Sequence, residues 1–427
     1  MSQRLATSTL RVPISPDERA PLLDARREAK MTSSAHAYVR GSTKKFYEWL
    51  LHCGASLPKA PAIWIDGDCH LGNLGALARV DGAVELQLRD LDQTVIGSPA
   101  HDVVRLGLSL AMAVRASALP GATTLRAIEQ MARGYEAVLE AKSARRSLVL
   151  PVAPPQVTRL LRLAGHRSRR DLLDERVGKG GGRVIPISKR FWPLTDSERA
   201  DVARLVETSR FRKLMTSLTS RQDDDPVEML DAAFWVKGCS SLGLWRCAVL
   251  VRVGGKGKRT LSLVDLKEAR APLAPRARRA RLPKHHGGRI VEGARALSPN
   301  LGARMIAGTV SKVPVSAREL LPQDLKLELD AMNDADVDPL AAYLGAVGGI
   351  AHARQLEPAD CAAWLEAFRK EHPANSTAPA WLWASVVDLV ALHEGAYLEH
   401  CREHAMALVG APWLATSDTV SHHVSGD

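Results

Sequence analysis

The chain has few aromatic residues and no paired cysteine motif. Aromatic side chains make up 4% of its 427 residues, and no two of its six cysteines form a C-x-x-C pair. A zinc ribbon or a thioredoxin-type site is therefore not indicated, and scattered cysteines are typical of a reducing cytosol. The N-terminus lacks the apolar core of a signal peptide, and the longest uncharged stretch, 339–353, is too short to span a bilayer. The sequence predicts a cytoplasmic protein without a membrane segment.

The charge is strongly positive, at +11, within an otherwise ordinary globular composition of 46% apolar and 25% charged residues. Two basic runs, 167–183 and 276–289, contribute to this charge. Such runs can bind nucleic acid, but neither is interleaved with the aromatics that stack single-stranded bases. Solvated loops are the favoured interpretation, and a basic cleft would also suit nucleotide phosphates.

The first informative motif is Gly67-Asp68-Cys69-His70-Leu71-Gly72-Asn73. A half-buried strand, 84–88, follows and leads into Asp90, and Asp102 comes soon afterwards. Phosphoryl transfer from a nucleotide uses one Asp to position the attacking hydroxyl, with an Asn and a second Asp to hold metal ions. This order predicts Asp68 as the catalytic base and Asn73 and Asp90 as ligands of Mg²⁺.

A second set of candidates follows an acidic break at 222–226. Lys267 ends a predicted strand after a glycine-containing turn and one hairpin, which is where a kinase holds the nucleotide phosphates. Glu292, on a predicted helix 288–297, is the expected partner of Lys267. The turn residues predicted to contact the phosphates of ATP are Gly238, Ser240, Ser241 and Gly243.

The segment 66–102 resembles the catalytic and metal-binding loops of the aminoglycoside/choline phosphotransferase branch of the protein-kinase-like superfamily. Asp68, His70 and Asn73 match the first loop, and Asp90, Gly97, Pro99 and Asp102 match the second. The resemblance implies ATP and Mg²⁺ as cofactors and makes Asp102 a buried organiser of the catalytic loop. Most of the chain also resembles an uncharacterised bacterial family of unknown function, on motifs that include Lys30-Met31-Thr32-Ser33-Ser34, Arg40-Gly41 and Ala351–Arg354.

Two residues and the order of the motifs depart from the phosphotransferase pattern. Asp66 replaces the His that braces the loop, and Asp92 adds a third carboxylate that could ligate metal. A kinase places its Gly-rich loop and Lys before the catalytic loop, whereas here they follow it. A circular permutation would resolve this order, because permutation is tolerated where the original termini lie close together. It predicts that Lys267 and Asp90 are neighbours across one cleft.

The expected fold is α+β, namely a bilobal, circularly permuted protein-kinase-like fold with a small antiparallel β lobe and a larger, mostly helical lobe. The expected divisions are an irregular arm at 1–30, the larger lobe at 31–228, the small β lobe at 229–320, helices completing the larger lobe at 321–412, and a tail at 413–427. The predicted function is an ATP- and Mg²⁺-dependent kinase acting on a hydroxyl of a small molecule. Arg40 is a candidate contact for phosphate or acceptor.

Several alternatives remain open from the sequence. Asp90-Leu91-Asp92-Gln93-Thr94 reads D-x-D-x-T, the nucleophile motif of haloacid-dehalogenase phosphatases, in which Asp90 attacks and Asp92 is the acid/base. A nucleotide-binding protein without catalysis, or an enzyme that transfers AMP, would need the same cleft. His400-Cys401-Arg402-Glu403-His404 matches the inverted zinc-protease motif, but no later Glu supplies a third ligand, so a helix surface is expected.

Overall fold

The computed structural model describes residues 12–178, 183–238, 241–255, 259–328, 332–370 and 378–409. The helices before the large sheet are α1 Pro16–Met31, α2 Ala35–Gly41, α3 Thr43–Cys53, α4 Pro99–Ala116, α5 Gly121–Ser143, α6 Pro155–His166, α7 Arg169–Arg176, α8 Asp196–Val206 and α9 Ser209–Thr216. Within and after that sheet come α10 His286–Leu297, α11 Pro299–Gly302, α12 Asp334–Ala353, α13 Pro358–Arg369 and α14 Ala380–Val409.

The strands form one large antiparallel sheet and two small hairpin-like pairs. The strands are β1 Ile63–Ile65, β2 Leu74–Ala78, β3 Val84–Leu88, β4 Val95–Gly97, β5 Phe191–Trp192, β6 Val227–Trp235, β7 Arg246–Val253, β8 Thr260–Glu268, β9 Met305–Val310 and β10 Val313–Leu320. The large sheet has six strands in the order β5-β6-β7-β8-β10-β9. The mixed α+β class predicted from the sequence is confirmed.

The large sheet and the helices beside it form the small lobe. Strands β6, β7 and β8 are a continuous meander, and α10 and α11 intervene before β9 and β10. Alternate side chains of β7 and β8 pack into different clusters on the two faces of the sheet. Val249 and Val251 lie with α8 and α9, whereas Leu250 and Leu263 lie with α7. The sheet is therefore covered by helices on both faces, which accounts for its largely apolar strands.

The larger lobe combines two separate parts of the chain. Helix α12 packs along α5, and α14 packs on α4, so one apolar core includes residues from 39–164 and from 327–389. The α5–α12 contact is close because it is made at glycines. A Cβ on Gly134 would lie 1.9 Å from the carbonyl oxygen of Ala342, and one on Gly345 would lie 2.0 Å from that of Met131. Only glycine allows the two backbones to approach this closely.

The N-terminal segment is not the irregular arm that its prolines suggested. From Pro16 it forms α1, with Pro16 in the first helical turn and a capping box between Ser15 and Glu18. Buried Arg19 then holds α1 against the small lobe by two hydrogen bonds to Glu198, at 2.8 and 2.9 Å. Proline in a first turn starts a helix because its missing N–H has no helical partner there, and this capping signal was overlooked.

Helices α2 and α3 follow one another and are divided at Ser42, whose backbone leaves the helical region. The basic run 167–183, for which a solvated loop was the favoured interpretation, contains the capped helix α7. Within the part of the chain that the structure describes, no helix combines the length and the apolarity needed to cross a membrane.

Candidate active site between the two lobes

Two antiparallel strand pairs, one enclosing the other in the sequence, bring the first loop, 66–73, beside the second loop, 89–94. β1 pairs with β4, and β2 pairs with β3, both antiparallel. The loops that join the outer pair to the inner pair therefore lie side by side. The amide of Arg89 donates to the carbonyl oxygen of Asn73 at 2.8 Å, and the hydroxyl of Thr94 donates to that of Ile65 at 2.6 Å. Asp68 and Asp90 thus lie on adjacent loops.

Asp102 braces the first loop from the start of α4. Its carboxylate accepts the backbone amides of Asp66 and Gly67 at 2.7 and 2.9 Å. His352, which is buried on α12, lies 3.1 Å from the same carboxylate, and Tyr135 lies 2.9 Å from the other ring nitrogen of His352. The bracing that was unexplained when Asp66 replaced the expected His therefore comes from Asp102 and His352.

Asp68 is buried, and both of its carboxylate oxygens are hydrogen-bonded. Oδ1 accepts from Nε of Arg105 at 2.9 Å, and Oδ2 accepts from the hydroxyl of Thr43 at 2.9 Å. Burial raises the pKa of Asp68 above its ordinary value, against the opposing effects of these two partners. The side-chain amide of Asn73 donates to the carbonyl oxygen of Asp68 at 3.0 Å, which leaves the Asn73 amide oxygen available as a ligand.

Arg105 and Thr43 were missed by the sequence analysis. Arg105 follows Asp102 by one turn on α4, where it stands alone among buried apolar residues. A single arginine in such a stretch needs a buried partner, and this was the signal available in the sequence. Thr43 offered no comparable signal, because its contact with Asp68 depends on where α3 packs.

Lys267 reaches across the cleft to the second loop. Its Nζ lies 3.2 Å from both carboxylate oxygens of Asp90 and also forms an ion pair with Asp92. The predicted proximity of Lys267 and Asp90 is therefore confirmed, although 177 residues separate them in the chain.

The three charges of this cluster perturb one another. Burial would raise the pKa of Asp90, but Lys267 and other cations hold it well below its ordinary value. Burial and the charge of Asp90 raise the pKa of Asp92. Burial alone would lower the pKa of Lys267, and the two carboxylates reverse that effect and raise it. Asp90 is therefore ionised and Lys267 protonated at neutral pH.

A cavity lies beside Lys267 and the second loop, and on the side of the small lobe it is also lined by Arg246 and Arg318. Arg246 forms a buried ion pair with Asp265, with Nε and Oδ1 2.8 Å apart, and Arg318 donates to the carbonyl oxygen of Arg89 at 2.9 Å. The cavity is lined by Lys267, Asp90 and Asp92 and by apolar side chains that include Ile290. The oxygen atoms of Asn73, Asp90 and Asp92 are the donor type that Mg²⁺ prefers, so these residues fit a magnesium site.

Glu292 is not brought to Lys267. It is exposed on α10, where Ile290, Gly293 and Ala294 face the protein. The charged residue that α10 directs at the second loop is Arg289, which donates to the carbonyl oxygens of Asp92 at 2.8 Å and of Thr94. The assignment of Glu292 relied on residue type and order, whereas the helical repeat places that position on the outer face.

The glycine-containing turn joins β6 to β7, as predicted. Gly238 and Gly243 have φ values of 123° and 98°, a region that favours glycine. Ser241 lies between them, whereas Ser240 falls outside the described residues. Lys30 of α1 donates to the carbonyl oxygen of Gly238 at 3.1 Å, so the turn is held from the N-terminal helix. The structure does not bring this turn into contact with the Asp90 loop by any hydrogen bond among the described residues.

The chain belongs to the family described as "Uncharacterized protein conserved in bacteria (DUF2252)", whose family model matches residues 19–403. The family identified from the sequence motifs is therefore correct. Comparison of the chain with curated proteins and with solved structures found no match.

Proposed function

We propose that this protein is a phosphotransferase that uses Mg·ATP to phosphorylate a hydroxyl group of a small molecule, on a circularly permuted protein-kinase-like fold. The observation that carries the proposal is the contact of Lys267 with Asp90 and Asp92 in one cleft. The loop that carries these two carboxylates is adjacent to the loop that carries Asp68. Kinases use a lysine of this kind to neutralise nucleotide phosphates, and carboxylates of this kind to hold metal ions.

The connectivity of the small lobe supports the same proposal. A glycine-containing turn lies between β6 and β7, Lys267 lies on the next strand, β8, and the helix α10 follows. A Gly-rich loop, a lysine on the third strand and a following helix are the order of the kinase small lobe. The return of α12 and α14 to the core of the larger lobe is what a permuted chain requires.

The proposed chemistry assigns distinct tasks to the described residues. Asp68 accepts the proton of the acceptor hydroxyl while that oxygen bonds to the γ-phosphorus and the bond from phosphorus to ADP breaks. Arg105 and Thr43 orient Asp68, and burial raises the pKa of its carboxyl, which makes it a better base. Mg²⁺, when bound by Asn73 and Asp90 with Asp92, would neutralise the charge of the phosphates. Lys267 supplies further positive charge at the same place.

The phosphatase alternative is less well supported. Its D-x-D-x-T motif follows a buried parallel strand, whereas the strand before Asp90, β3, pairs antiparallel with β2. The hydroxyl of Thr94 is directed at the carbonyl oxygen of Ile65, which gives that residue a structural task. The same alternative also leaves the hydrogen-bonded Asp68 without a task.

Binding of Mg·ATP, measured by calorimetry, tests the proposal. The wild type should bind Mg·ATP, and Lys267→Ala should weaken binding by about 10-fold or more, since charged hydrogen bonds contribute roughly 1.5–3 kcal/mol. Lys44→Ala, whose side chain is 80% exposed, is the matched control and should bind like the wild type. Absence of binding to the wild type would refute the proposal.

The position of the radioactive label separates the two transfer reactions. Incubation of the protein with a metabolite extract and ATP labelled in the γ-phosphate should give a labelled acceptor. A parallel incubation uses ATP labelled in the α-phosphate. Transfer of that label to the acceptor would show AMP transfer and would contradict phosphorylation.

A further inference from the structure

A group of basic side chains lies beside the first loop, on helix α2, at the end of β3 and in the segment after β10. We call it the basic cluster, and it consists of His36, Arg40, Arg89 and Lys326. All four residues are partly buried. The proposed function uses none of them, although the sequence analysis named Arg40 as a candidate contact.

Glycines in the first loop and near the start of β2 leave space for these side chains. A Cβ on Gly72 would lie 2.8 Å from Nε of Arg40, and a Cβ on Gly75 would lie 2.8 Å from Cδ of Arg89. Gly75 also forms an isolated β-bridge with Lys326. The two glycines flank Asn73 in the sequence, so three cations surround the segment that carries a proposed metal ligand.

The basic cluster has too few partners for its charge. Nε of Arg40, Nε of Arg89 and Nδ1 of His36 are buried nitrogens without a hydrogen-bond partner among the described residues. Among the described residues, Lys326 forms an ion pair with Glu328, at 4.0 Å. A buried polar atom without a partner costs free energy, and an unpaired charge costs more. A bound anion would supply hydrogen-bond acceptors and negative charge at this place.

The electrostatic effects within the basic cluster agree with this geometry. Burial, followed by the charges of Arg40 and Lys326, lowers the pKa of His36 to about 4. Burial, Arg40 and Arg89 lower the pKa of Lys326 to about 8, against the opposing effect of Glu328. An anion bound beside Arg40 and Lys326 would offset the repulsion that lowers the pKa of Lys326.

We infer that the basic cluster binds a phosphate group of the acceptor molecule, whose hydroxyl lies at Asp68. The inference rests on the proposed function, because it assigns the substrate class of the same site. Two guanidinium groups and an ammonium group match the charge and geometry of a phosphate monoester better than those of a single carboxylate. Arg40 lies against Gly72, one residue from Asn73, so an anion held there would be close to the catalytic loop.

Calorimetric titration with inorganic phosphate tests the inference, both in the absence of nucleotide and with saturating Mg·AMP-PNP. The wild type should bind phosphate in both conditions, and Arg40→Leu should weaken that binding about 10-fold or more. Lys326→Met provides a second, half-exposed position in case Arg40→Leu does not fold. Arg170→Leu removes a side chain that is 88% exposed on α7, and it should leave phosphate binding unchanged.

The other outcomes overturn either the inference or the proposed function on which it rests. Failure of phosphate to bind the wild type, or binding of acetate instead, would exclude a phosphorylated acceptor. Complete competition between phosphate and Mg·AMP-PNP would assign the basic cluster to the nucleotide. Phosphate binding that depends on Arg40 in a protein that does not bind Mg·ATP would leave the anion site intact and refute only the proposed function.

A second inference concerns the end of α14 that contacts α1. From the sequence alone, His400 and His404 are expected on a helix surface, because no later Glu supplies a third metal ligand. The structure supplies a carboxylate from earlier in the chain, since one ligand atom each of Glu28, His400 and His404 lie within 4.8 Å of one another. Oε2 of Glu28 lies 3.8 Å from Nε2 of His400, while its Oε1 accepts from Arg27 at 2.9 Å. The geometry points to a zinc site that joins α1 to α14, with water as fourth ligand.

Metal analysis of the untagged protein, dialysed after exposure to Zn²⁺, tests this second inference. The wild type should retain one Zn²⁺ per chain and gain thermal stability from it, whereas His404→Ala should lose both. His52→Ala, an exposed histidine on α3, is the control and should behave like the wild type. Equal retention by wild type and His404→Ala, or no retention by the wild type, would overturn the assignment.

Discussion

The cleft between the lobes and the basic cluster beside it differ in how far their charges are paired. In the cleft, Lys267 lies against Asp90 and Asp92, and Asp68 lies against Arg105. In the basic cluster, nitrogens of Arg40 and of its neighbours have no hydrogen-bond partner within the described ranges. The charges of the cleft are compensated within the protein, whereas buried nitrogens without a partner carry a free-energy cost that a bound anion would offset.

The strongest test of the paired region is Asp68→Asn. The substitution keeps the shape of the side chain and removes its ability to accept a proton, so turnover should fall by about 10²–10⁴-fold. ADP release in the presence of a metabolite extract measures turnover, and calorimetry should still detect nucleotide binding. Turnover equal to that of the wild type would contradict the role of Asp68 as base.

Loss of the cation in the cleft should have a somewhat smaller effect. Lys267→Met removes the charge that offsets the phosphates, and we expect turnover to fall on the order of 10²–10³-fold, as for other preorganised electrostatic contacts. The same assay measures it, with Lys44→Met as the control at an exposed position. A similar loss in both variants would mean that Lys267 has no special role.

Asp102→Ala should weaken the fold as well as the site. The substitution leaves the amides of Asp66 and Gly67 without their acceptor, and each buried donor left unpaired costs about 1–3 kcal/mol. We expect the free energy of unfolding, measured with urea, to fall by roughly 2–6 kcal/mol. Asp174→Ala, at a partly exposed ion pair, should change it by at most about 1 kcal/mol.

The smallest and most pH-dependent effect is expected at Asp66, a buried carboxyl near Asp68. Among the described residues neither oxygen of Asp66 meets the geometry of a hydrogen bond, and burial, followed by the charges of Asp102 and Asp68, raises its pKa well above the ordinary value against a smaller opposing effect of the Asp68 backbone. A raised folded-state pKa means that stability is greatest below the unfolded-state pKa and is lost as pH rises through the folded-state pKa.

Asp66→Asn should therefore remove this pH dependence. Urea unfolding of both proteins from pH 4 to pH 8 should show the wild type losing stability relative to Asp66→Asn as the pH rises. A difference that stays constant with pH would contradict the raised pKa of Asp66, and a variant less stable at pH 8 would show that the carboxylate has a partner.

Lys267 and Glu292 show which positions can be predicted from the sequence and which cannot. Both were inferred from residue type and order, yet only Lys267 reaches the second loop. Strand β8 is flanked by β7 and β10 on both sides, so the end of that strand has a definite position in the sheet. A helix can rotate about its axis as its apolar face packs, and this rotation places Glu292 outside and Arg289 inside.

The bracing of the first loop shows a second limit of the sequence. Asp102 was identified because it follows Asp90 within a recognisable local pattern. His352 lies 250 residues away from it, on a helix whose place beside α5 depends on the close contact at Gly134 and Gly345. No local pattern could have paired the two residues. Arg105, in contrast, was visible as a lone arginine among apolar residues.

The sequence by itself determined the family, the α+β class and the candidate residues Asp68, Asn73, Asp90 and Lys267, because these depend on local motifs and on the order of strands. Only the tertiary structure decided which charges meet. Lys267 pairs with Asp90, whereas three buried nitrogens of the basic cluster have no hydrogen-bond partner among the described residues, and Glu28 lies beside two histidines from near the opposite end of the chain. Side-chain interactions act over a few ångströms, so they depend on packing that brings distant segments together.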